Sequence, residues 1–464
     1  MSSTRLEKDS LGQVELPADV LYGINTFRSL ANFPISGRPI ATYGEFIRAI
    51  ATVKQAAAQA NLELGGLTPE QAAAITAACE EVRAGRHDAH FVVDMFEGSG
   101  GTSTNMNVNE VIANVAARNA GQALGEYAVV HPNDHVNLGQ STNDVIPTAL
   151  KLAVYGALAE TPTALRRLAQ AFSDKAAEYA DLLRLGRTCL QDAQPMTLGQ
   201  AFGGYAAVIA RHADELEALQ DQFLTVPLGG TAIGTGFGAQ PGYTAAVCRH
   251  LAVLTGAAVK PASNAFDAMQ NMDNCARLSA ELRNTANTLW KIANDLIILS
   301  SGPMGGLEEI TLPSVQAGSS IMPGKVNPVI PMAVCQVALA VTGNDTAVTL
   351  ACQQGLLEIN HYELIVCDRL LESIRLLTRT ATVFTDRCVS GLVGNAEASR
   401  QHLLNSSALA TALVPALGYA QVSGVVRAAV AEQRPFIEVA MERGLLREDE
   451  IQPILYRATH GAAA

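Results

Sequence analysis

The sequence has few aromatic residues, few charged residues and no long uninterrupted apolar run. Aromatic residues make up 5% and charged residues 16% of the 464 positions, against 48% for hydrophobic residues. The apolar stretch 332–342 is interrupted by Gln336 and ends at a polar Gly-Asn-Asp segment. It therefore lacks the roughly 18 apolar residues that a membrane helix needs. The apolar excess instead predicts surface that is buried between subunits.

Cysteine spacing and charge exclude several further classes of protein. The eight cysteines are scattered without a Cys-x-x-Cys pair, so neither a zinc cluster nor a disulfide framework is indicated. Residues 1–12 are polar and lack the apolar segment of a secretory signal, which predicts a cytoplasmic protein with reduced thiols. A net charge of −12 argues against nucleic acid or an anionic membrane as a partner.

The periodicity of apolar residues is helical. In 263–300 they recur at steps of three and four, which predicts one long helix with Ser263 or Asn264 as its cap. Similar patterns fill 148–183, 197–222 and 331–354. A helix that is apolar nearly all round, as in 331–342, must be surrounded by other helices. The sequence therefore predicts an all-α bundle of very long helices, and its length suggests two or three domains.

Polar, Gly-rich segments separate these helices. They occupy 97–109, 133–144, 186–192, 229–236 and 317–328. Loops of this composition on a helical scaffold are the usual places for binding groups.

The most informative segment is 318–328, Gly-Ser-Ser-Ile-Met-Pro-Gly-Lys-Val-Asn-Pro. Its lysine and asparagine supply a cation and an amide, which a bound carboxylate needs as partners. A solvent-exposed loop could carry such residues as well. The whole string, however, resembles the signature loop of the aspartase/fumarase superfamily and matches Gly-Ser-Ser-x-x-Pro-x-Lys-x-Asn at every fixed position.

The resemblance extends over almost the whole chain, and its start is more similar to aspartases than to fumarases. Further matching segments are 5–12, 17–23, 32–37, 101–110, 131–137, 140–144, 186–188 and 230–236. The resemblance implies a three-domain helical fold with a central long-helix bundle that is completed in a homotetramer. It further implies active sites shared by three subunits, a small dicarboxylate substrate and no cofactor or metal. The expected domains are 1–140, 141–393 and 394–464.

The resemblance also implies roles for individual residues. Ser319 would be the base that removes a proton next to one carboxylate, giving a doubly charged aci-carboxylate. The reacting carboxylate is expected to be bound by Thr102, Ser141, Thr142 and Ser320. The other carboxylate is expected to be held by Lys325 and Asn327. The leaving group is expected to face Asn143 and Thr188. A serine can act in this way only if neighbouring donors or a helix terminus lower the pKa of its hydroxyl.

A secondary site for dicarboxylates is expected at His131, Asn133 and Asp134. His131 and His135 stand four residues apart, a spacing that could also ligate zinc on a regular helix. Pro132 and the Asn-Asp pair disfavour a regular helix at this place, so the metal hypothesis is the weaker one.

The chain departs from the family pattern at the expected leaving-group pocket. Cys189 replaces the histidine or glutamine that follows Gly-Arg-Thr, and Met332 replaces a glutamate. The residue after Asn360 is a histidine instead of a valine. The altered pocket is expected to comprise Cys189, Met322, Met332 and His361. Neutral drift, with Cys189 as a small buried residue, is the alternative interpretation. A nucleophilic Cys189 is a weaker one because no histidine is adjacent in sequence.

The leading functional hypothesis is the removal of ammonia from L-aspartate to give fumarate. A related lyase acting on an N-substituted aspartate or another substituted succinate is the first alternative. Fumarate hydratase is the third hypothesis. A catalytically silent homologue that serves as a structural or binding protein is the alternative from another class. A further hypothesis is that His361 and Glu363 partly replace the missing polar pair. Retention of five residues argues against the silent homologue, namely Ser319, Lys325, Asn327, Thr102 and Asn143.

Overall fold

The computed structural model describes residues 4–318 and 320–460, and this part of the chain is mostly helical. The first stretch contains β1 (Thr4–Asp9), β2 (Gly12–Pro17), α1 (Ile24–Asn32), α2 (Gly44–Glu63), α3 (Pro69–Arg83), α4 (Thr102–Asn119) and α5 (Thr142–Leu158). A single π-helical turn, Pro132–Val136, lies between α4 and α5. No helix within the described ranges has the length and apolar character needed to cross a membrane.

The middle of the chain carries the longest helices. Its elements are α6 (Glu160–Glu178), β3 (Leu183–Thr188), β4 (Gln191–Thr197), α7 (Leu198–Gln220), β5 (Thr225–Val226), α8 (Tyr243–Thr255), β6 (Lys260–Pro261), α9 (Ala265–Gln270), α10 (Asp273–Leu299), β7 (Ile310–Thr311), α11 (Val329–Cys352), α12 (Glu363–Phe384) and β8 (Val393–Gly394). The last stretch contains α13 (Ala396–Asn405), α14 (Ala408–Leu417), α15 (Tyr419–Glu432), α16 (Phe436–Glu442) and α17 (Glu448–His460).

The chain divides into two compact units. Unit 1 comprises Met1–Pro162, Asp214–Arg283 and Ala340–Leu376, and unit 2 comprises Thr163–Ala213, Asn284–Leu339 and Leu377–Ala464. The divisions fall inside α6, α7, α10, α11 and α12.

Unit 1 is built around α2. This alanine-rich helix buries most of its length and packs against α3, α5 and α8. Helix α4 is also buried, although it carries Asn105, Asn107, Asn109 and Asn114. Asparagine is a poor helix former, but these side chains bond to neighbouring segments. Asn107 Nδ2, for example, donates to the His90 carbonyl at 2.9 Å.

The last five helices of unit 2 form a small apolar core. Leu403, Leu413, Val425 and Phe436 are buried there together with Leu185 of β3. Strands β3 and β4 form an antiparallel hairpin with a bulge between Leu185 and Arg187. The hairpin is therefore anchored on the C-terminal helices.

The sequence predictions for the fold are confirmed in part. The helical patterns at 197–222 and 331–354 correspond to α7 and α11 within two residues. The single helix predicted over 263–300 is wrong, because the chain breaks at Asn271 and Met272 between α9 and α10. Asn264 caps α9 instead, its Oδ1 accepting a bond from Asp267 N at 3.1 Å.

Two further expectations need correction. The pattern at 148–183 belongs to two helices, α5 and α6, and not to one. The purely α expectation misses four two-stranded sheets, which the structure shows within the described residues. The sheets β5–β6 and β7–β8 have only two residues in each strand, and the hairpins β1–β2 and β3–β4 are rich in polar and charged residues, so an apolar pattern does not reveal them. The predicted three domains and the tetramer remain predictions.

Glu110 caps a helix that has no cap of its own. Gly23 precedes α1 and has no side chain, but the fully buried Glu110 carboxylate of α4 accepts bonds from Gly23 N and Asn25 N, both at 2.8 Å. It also accepts from Thr26 N at 3.2 Å and Thr26 Oγ1 at 2.7 Å. One carboxylate therefore accepts hydrogen bonds from three backbone N–H groups at the start of α1.

We expect Glu110→Gln to lower the stability of the protein by about 1–3 kcal/mol, because the new amide N–H would face backbone N–H groups. The melting temperature in calorimetry measures this. Thr68→Ala, which removes only the exposed capping box of α3, is the control and should cost about 1 kcal/mol. A Glu110→Gln protein as stable as wild type would contradict the assignment.

Candidate active site

Ser319, the predicted base, lies outside the described residues. The flanking residues form a closed turn in unit 2. Asn327 Nδ2 donates to the Gly318 carbonyl at 2.6 Å, and Lys325 N donates to the Met322 carbonyl at 3.4 Å. A Cβ atom on Gly318 would overlap the Lys325 carbonyl and lie 2.8 Å from Val326 Cα. Only glycine therefore allows the two ends of this loop to meet.

Ser320 and Lys325 are exposed in this turn, and Asn327 is half-buried. Lys325 therefore presents a cation at the surface of the loop. Asn327 uses one amide hydrogen on Gly318, so its second amide hydrogen can still donate to a ligand.

In unit 1 the structure brings the start of α4 close to the start of α5. Gly101 precedes α4 with φ +86°, and a Cβ there would lie 2.8 Å from Ile146 Cγ1 of α5. Asn105 Nδ2 of α4 donates to Thr142 Oγ1 of α5 at 3.2 Å. Thr102 is exposed as the first residue of α4, where the positive helix end favours an anion.

The first turn of α5 is a capping box. Ser141 Oγ accepts from Asn143 N at 3.2 Å, and the Asp144 carboxylate accepts from Ser141 N at 3.0 Å. Ser141 and Thr142 both accept a bond through their hydroxyl oxygens, so each hydroxyl hydrogen remains available to donate a bond. Asn143 Nδ2 donates to the Ala232 carbonyl at 2.8 Å, which leaves its amide oxygen as an acceptor.

The sequence of this chain is similar to known lyases. A family described as Lyase matches residues 12–343, and one described as Fumarase C C-terminus matches 409–457. Aspartate ammonia-lyase of Pseudomonas aeruginosa is 46% identical over 98% of this chain and 96% of its own length. Aspartate ammonia-lyase of Escherichia coli strain K12 is 41% identical over 98% of this chain and 95% of its own length.

The fold is similar to solved structures as well. A fumarate lyase:delta crystallin from Brucella melitensis, bound to cobalt, has a TM-score of 0.94 at 45% identity and covers 98% of both chains. A class II fumarase from Schistosoma mansoni has a TM-score of 0.92 at 34% identity, also covering 98% of both chains.

The chain belongs to the aspartase/fumarase family of lyases.

In this lyase, the predicted residues Thr188 and Cys189 lie on the β3–β4 hairpin of unit 2. Thr188 ends β3, and Cys189 and Leu190 form the turn with φ +52° and +61°. Two consecutive positive φ angles are typical of a type I′ turn, which normally takes glycine or asparagine. All three residues are exposed. Cys189 is therefore a turn residue and not the small buried residue that the neutral interpretation expected.

A buried ion-pair cluster that sequence reasoning missed holds this hairpin in place. The Glu309 carboxylate accepts from Arg184 Nε at 2.8 Å and from Arg187 Nη1 at 2.7 Å, and it contacts His402 Nδ1 at 3.1 Å. Burial alone would raise the pKa of Glu309, but the two arginines and His402 hold it below its usual value. The arginine in the Gly-Arg-Thr motif could have indicated that a carboxylate lies close to the hairpin, because arginine pairs well with carboxylates. The motif does not indicate which carboxylate this is.

His361 lies against the loop that precedes Thr102 in unit 1. Its Cβ is 3.3 Å from the position of a Cβ on Gly100, and its ring packs on Tyr362 at 4.2 Å between centroids. Two residues later, burial raises the pKa of Glu363 to about 8, with a further contribution from the Glu97 carboxylate. Glu363 is therefore mostly protonated at pH 7 and could act as a hydrogen-bond donor.

The other two residues of the expected leaving-group pocket, Met322 and Met332, belong to unit 2 and are about half exposed there.

At the expected secondary site, His131 caps the short π-helical turn. Its Nδ1 accepts from Asn133 N at 3.3 Å and from Asp134 N at 3.2 Å, which requires an unprotonated Nδ1. His135 Nδ1 accepts from His131 N at 2.8 Å, so the two rings do not share a regular helix face. Within the described ranges, no three His, Cys, Asp or Glu side chains cluster as metal ligands.

Lys54 is a second residue that sequence reasoning missed. It is fully buried on α2 and donates to Asn137 Oδ1 at 2.9 Å and Gln140 Oε1 at 3.0 Å. Asn137 Oδ1 also accepts from Asn105 Nδ2 at 3.0 Å and Asn109 Nδ2 at 3.2 Å. Burial lowers the pKa of Lys54 to about 7. Lys54 therefore fixes, through Asn137 and Asn105, the position of Thr142.

We expect Gly318→Ala to lower kcat/KM by at least ~100-fold, because the loop must open and a displacement of about 1 Å at reacting groups has that effect. Steady-state kinetics on the substrate of the wild type measure it. Gly424→Ala on α15 is the control, since a Cβ there meets no atom within 4 Å. Full activity of Gly318→Ala would show that the loop ends need not meet.

Proposed function

We propose that this lyase removes ammonia from L-aspartate to give fumarate, with Ser319 as the base. The observation that carries the proposal is the identity of 41–46% to aspartate ammonia-lyases over nearly the whole of both chains. The complete Gly-Ser-Ser-x-x-Pro-x-Lys-x-Asn string in 318–327 is a second support.

The proposed reaction begins with the Ser319 alkoxide taking the proton from the carbon next to the side-chain carboxylate. The electron pair left on carbon is delocalised into that carboxylate as a dianionic aci form. This pair then forms the double bond as the carbon–nitrogen bond breaks, and ammonia leaves with the electrons of that bond. No electron is gained or lost overall, so the reaction needs no redox partner.

Donors for the developing negative charge are present at the start of α5. The hydroxyl hydrogens of Ser141 and Thr142 are available to donate, because both oxygens act as acceptors in their bonds within the chain. Preorganised donors of this kind stabilise a transition-state anion without any reorganisation. Thr102 at the positive end of α4 and the backbone of Ser320 are proposed as the further donors.

The second carboxylate of the substrate would bind Lys325 and the remaining amide hydrogen of Asn327. The amino group would face Asn143, whose amide oxygen is an acceptor, together with Thr188. These groups lie in both units, and we propose that the complete site forms in a homotetramer from the loops of three subunits. Exposed apolar residues on α11 support such an assembly, namely Met332, Leu339 and Leu350, which are 46–57% exposed in one chain.

A second candidate is the elimination of a substituted amine from an N-substituted aspartate. Three departures from the family pattern favour it: Cys189 in a turn where the family has histidine or glutamine, Met332 and His361. His361 lies beside Gly100, two residues before Thr102, and we propose that it contacts the substituent of the leaving amine.

The first test is fumarate formation from L-aspartate, followed by ultraviolet absorbance. We expect turnover by the wild type and a loss of at least ~1,000-fold in kcat for Ser319→Ala, because no other group would take the proton. Ser407→Ala, an exposed serine on unit 2, is the matched control and should keep full activity. Residual activity of Ser319→Ala near the wild-type value would refute the proposed base.

The second test distinguishes the two substrates. L-Aspartate, L-malate and a panel of N-substituted aspartates are supplied separately to the wild type and to His361→Ala. If the L-aspartate proposal holds, kcat/KM is highest for L-aspartate and changes less than ~3-fold in the variant. A preference for a substituted aspartate that is lost in His361→Ala would establish the second candidate instead.

A further inference from the structure

Asp144 joins two segments of unit 1 that are far apart in sequence. Its fully buried carboxylate accepts from Ser141 N at 3.0 Å through one oxygen. Through the other it accepts from Gly229 N at 3.0 Å and Thr231 N at 2.9 Å. The same carboxylate therefore completes the cap of α5 and holds the loop 229–232.

The loop 229–232 depends on these bonds for its shape. Gly229 has φ +98° and Thr231 has φ +55°, a conformation that favours glycine and is strained for threonine. A Cβ on Gly229 would lie 2.8 Å from Thr244 Cβ, so the loop lies directly on α8. Its last residue, Ala232, supplies the carbonyl that binds Asn143 Nδ2 at 2.8 Å.

Two ionisable side chains from other helices face Asp144. Lys54 of α2, when protonated, is the nearby positive charge, and the buried Tyr243 of α8 also interacts with the Asp144 carboxylate. Burial raises the pKa of Asp144 to about 6, although the three backbone N–H groups and Lys54 oppose this. Asp144 is therefore mostly ionised at pH 7 and above, the form that accepts all three bonds.

We propose that Asp144 is a positioning residue: by fixing the Ala232 carbonyl it orients the Asn143 side chain with its amide oxygen toward the leaving group. This inference rests on the proposed function for the role of Asn143. Asp144 touches no reacting atom, so it acts through the residues it holds, which are Ser141 at the start of α5 and the loop that positions Asn143. An ordinary helix cap would need the bond to Ser141 N and would not need those to Gly229 and Thr231.

The test variant is Asp144→Asn, which keeps the shape of the side chain. An amide has one acceptor oxygen, so it can serve either Ser141 or the loop, and its NH₂ group must face a backbone N–H at the other end. Thr68→Ala is the matched control. It removes the capping bond of α3, in which Thr68 Oγ1 accepts from Gln71 N at 3.3 Å, and it leaves every bond to Asp144 in place.

We expect Asp144→Asn to lower kcat and to leave KM nearly unchanged. Asn143 would contact the leaving group, whereas Lys325 and Asn327 would bind a carboxylate. Asp144→Asn should therefore lower kcat for L-aspartate by ~10- to 100-fold and change KM by less than ~3-fold. Adding Asn143→Ala to Asp144→Asn should lower kcat little further, since coupled residues are not additive. Thr68→Ala should change neither constant. Fully additive losses, or kinetics of Asp144→Asn equal to those of Thr68→Ala, would overturn the proposal.

Hydrogen exchange separates a failure of this inference from a failure of the proposed function. In Asp144→Asn, the amides of peptides covering 226–236 should exchange at least ~10-fold faster than in wild type, with no such change in Thr68→Ala. Unchanged exchange in 226–236 overturns the role of Asp144 whatever the substrate is. If the wild type is inactive on L-aspartate while Asp144→Asn still exchanges faster, the kinetic constants are measured with whichever N-substituted aspartate, or L-malate, the wild type turns over. The same loss in kcat with little change in KM is then required.

Discussion

The hydrogen bonds that converge on one amide oxygen, Asn137 Oδ1, hold together the part of unit 1 that carries its candidate substrate residues. Lys54, Asn105 and Asn109 all donate to it, from α2 and α4. These three donors are on buried side chains, and a buried donor without a partner is costly. The starts of α4 and α5 are thereby fixed by polar contacts, and the alanine-rich surface of α2 allows the close packing around them.

In unit 2 a buried group is likewise held by partners within the protein, but here the partners are charged. Glu309 is fully buried, and it is held ionised by Arg184 and Arg187, one on each side of the bulge at Gly186. A buried carboxylate without these partners would be strongly disfavoured. Cys189 at the exposed tip of the hairpin can therefore differ from the residue in the family pattern. The ion pairs of Glu309 with the two arginines hold the hairpin in position without it.

Sequence patterns predicted what depends on local periodicity. Helices α7 and α11 follow from apolar residues at steps of three and four, and their ends are right within two residues. The break at Asn271 was missed, because the apolar period continues on both sides of it. Ser141 at the start of α5 was found through a motif, whereas Lys54 and Glu309 were not, since the sequence around a charged residue does not reveal a partner 80 or more positions away. Contacts of that separation are set by tertiary packing, which one sequence does not contain.

The available hydroxyl hydrogens of Ser141 and Thr142 have a consequence for selectivity. Two hydroxyl donors stabilise a carboxylate, which carries a charge and offers lone pairs on both of its oxygens. The carboxamide of L-asparagine is neutral and has one acceptor oxygen, so it would accept weaker bonds from these hydroxyls, and so would a protonated acid. With a dicarboxylate bound as proposed, the start of α5 would thus discriminate between ligands of nearly the same size by the polarity of one group, without any steric exclusion.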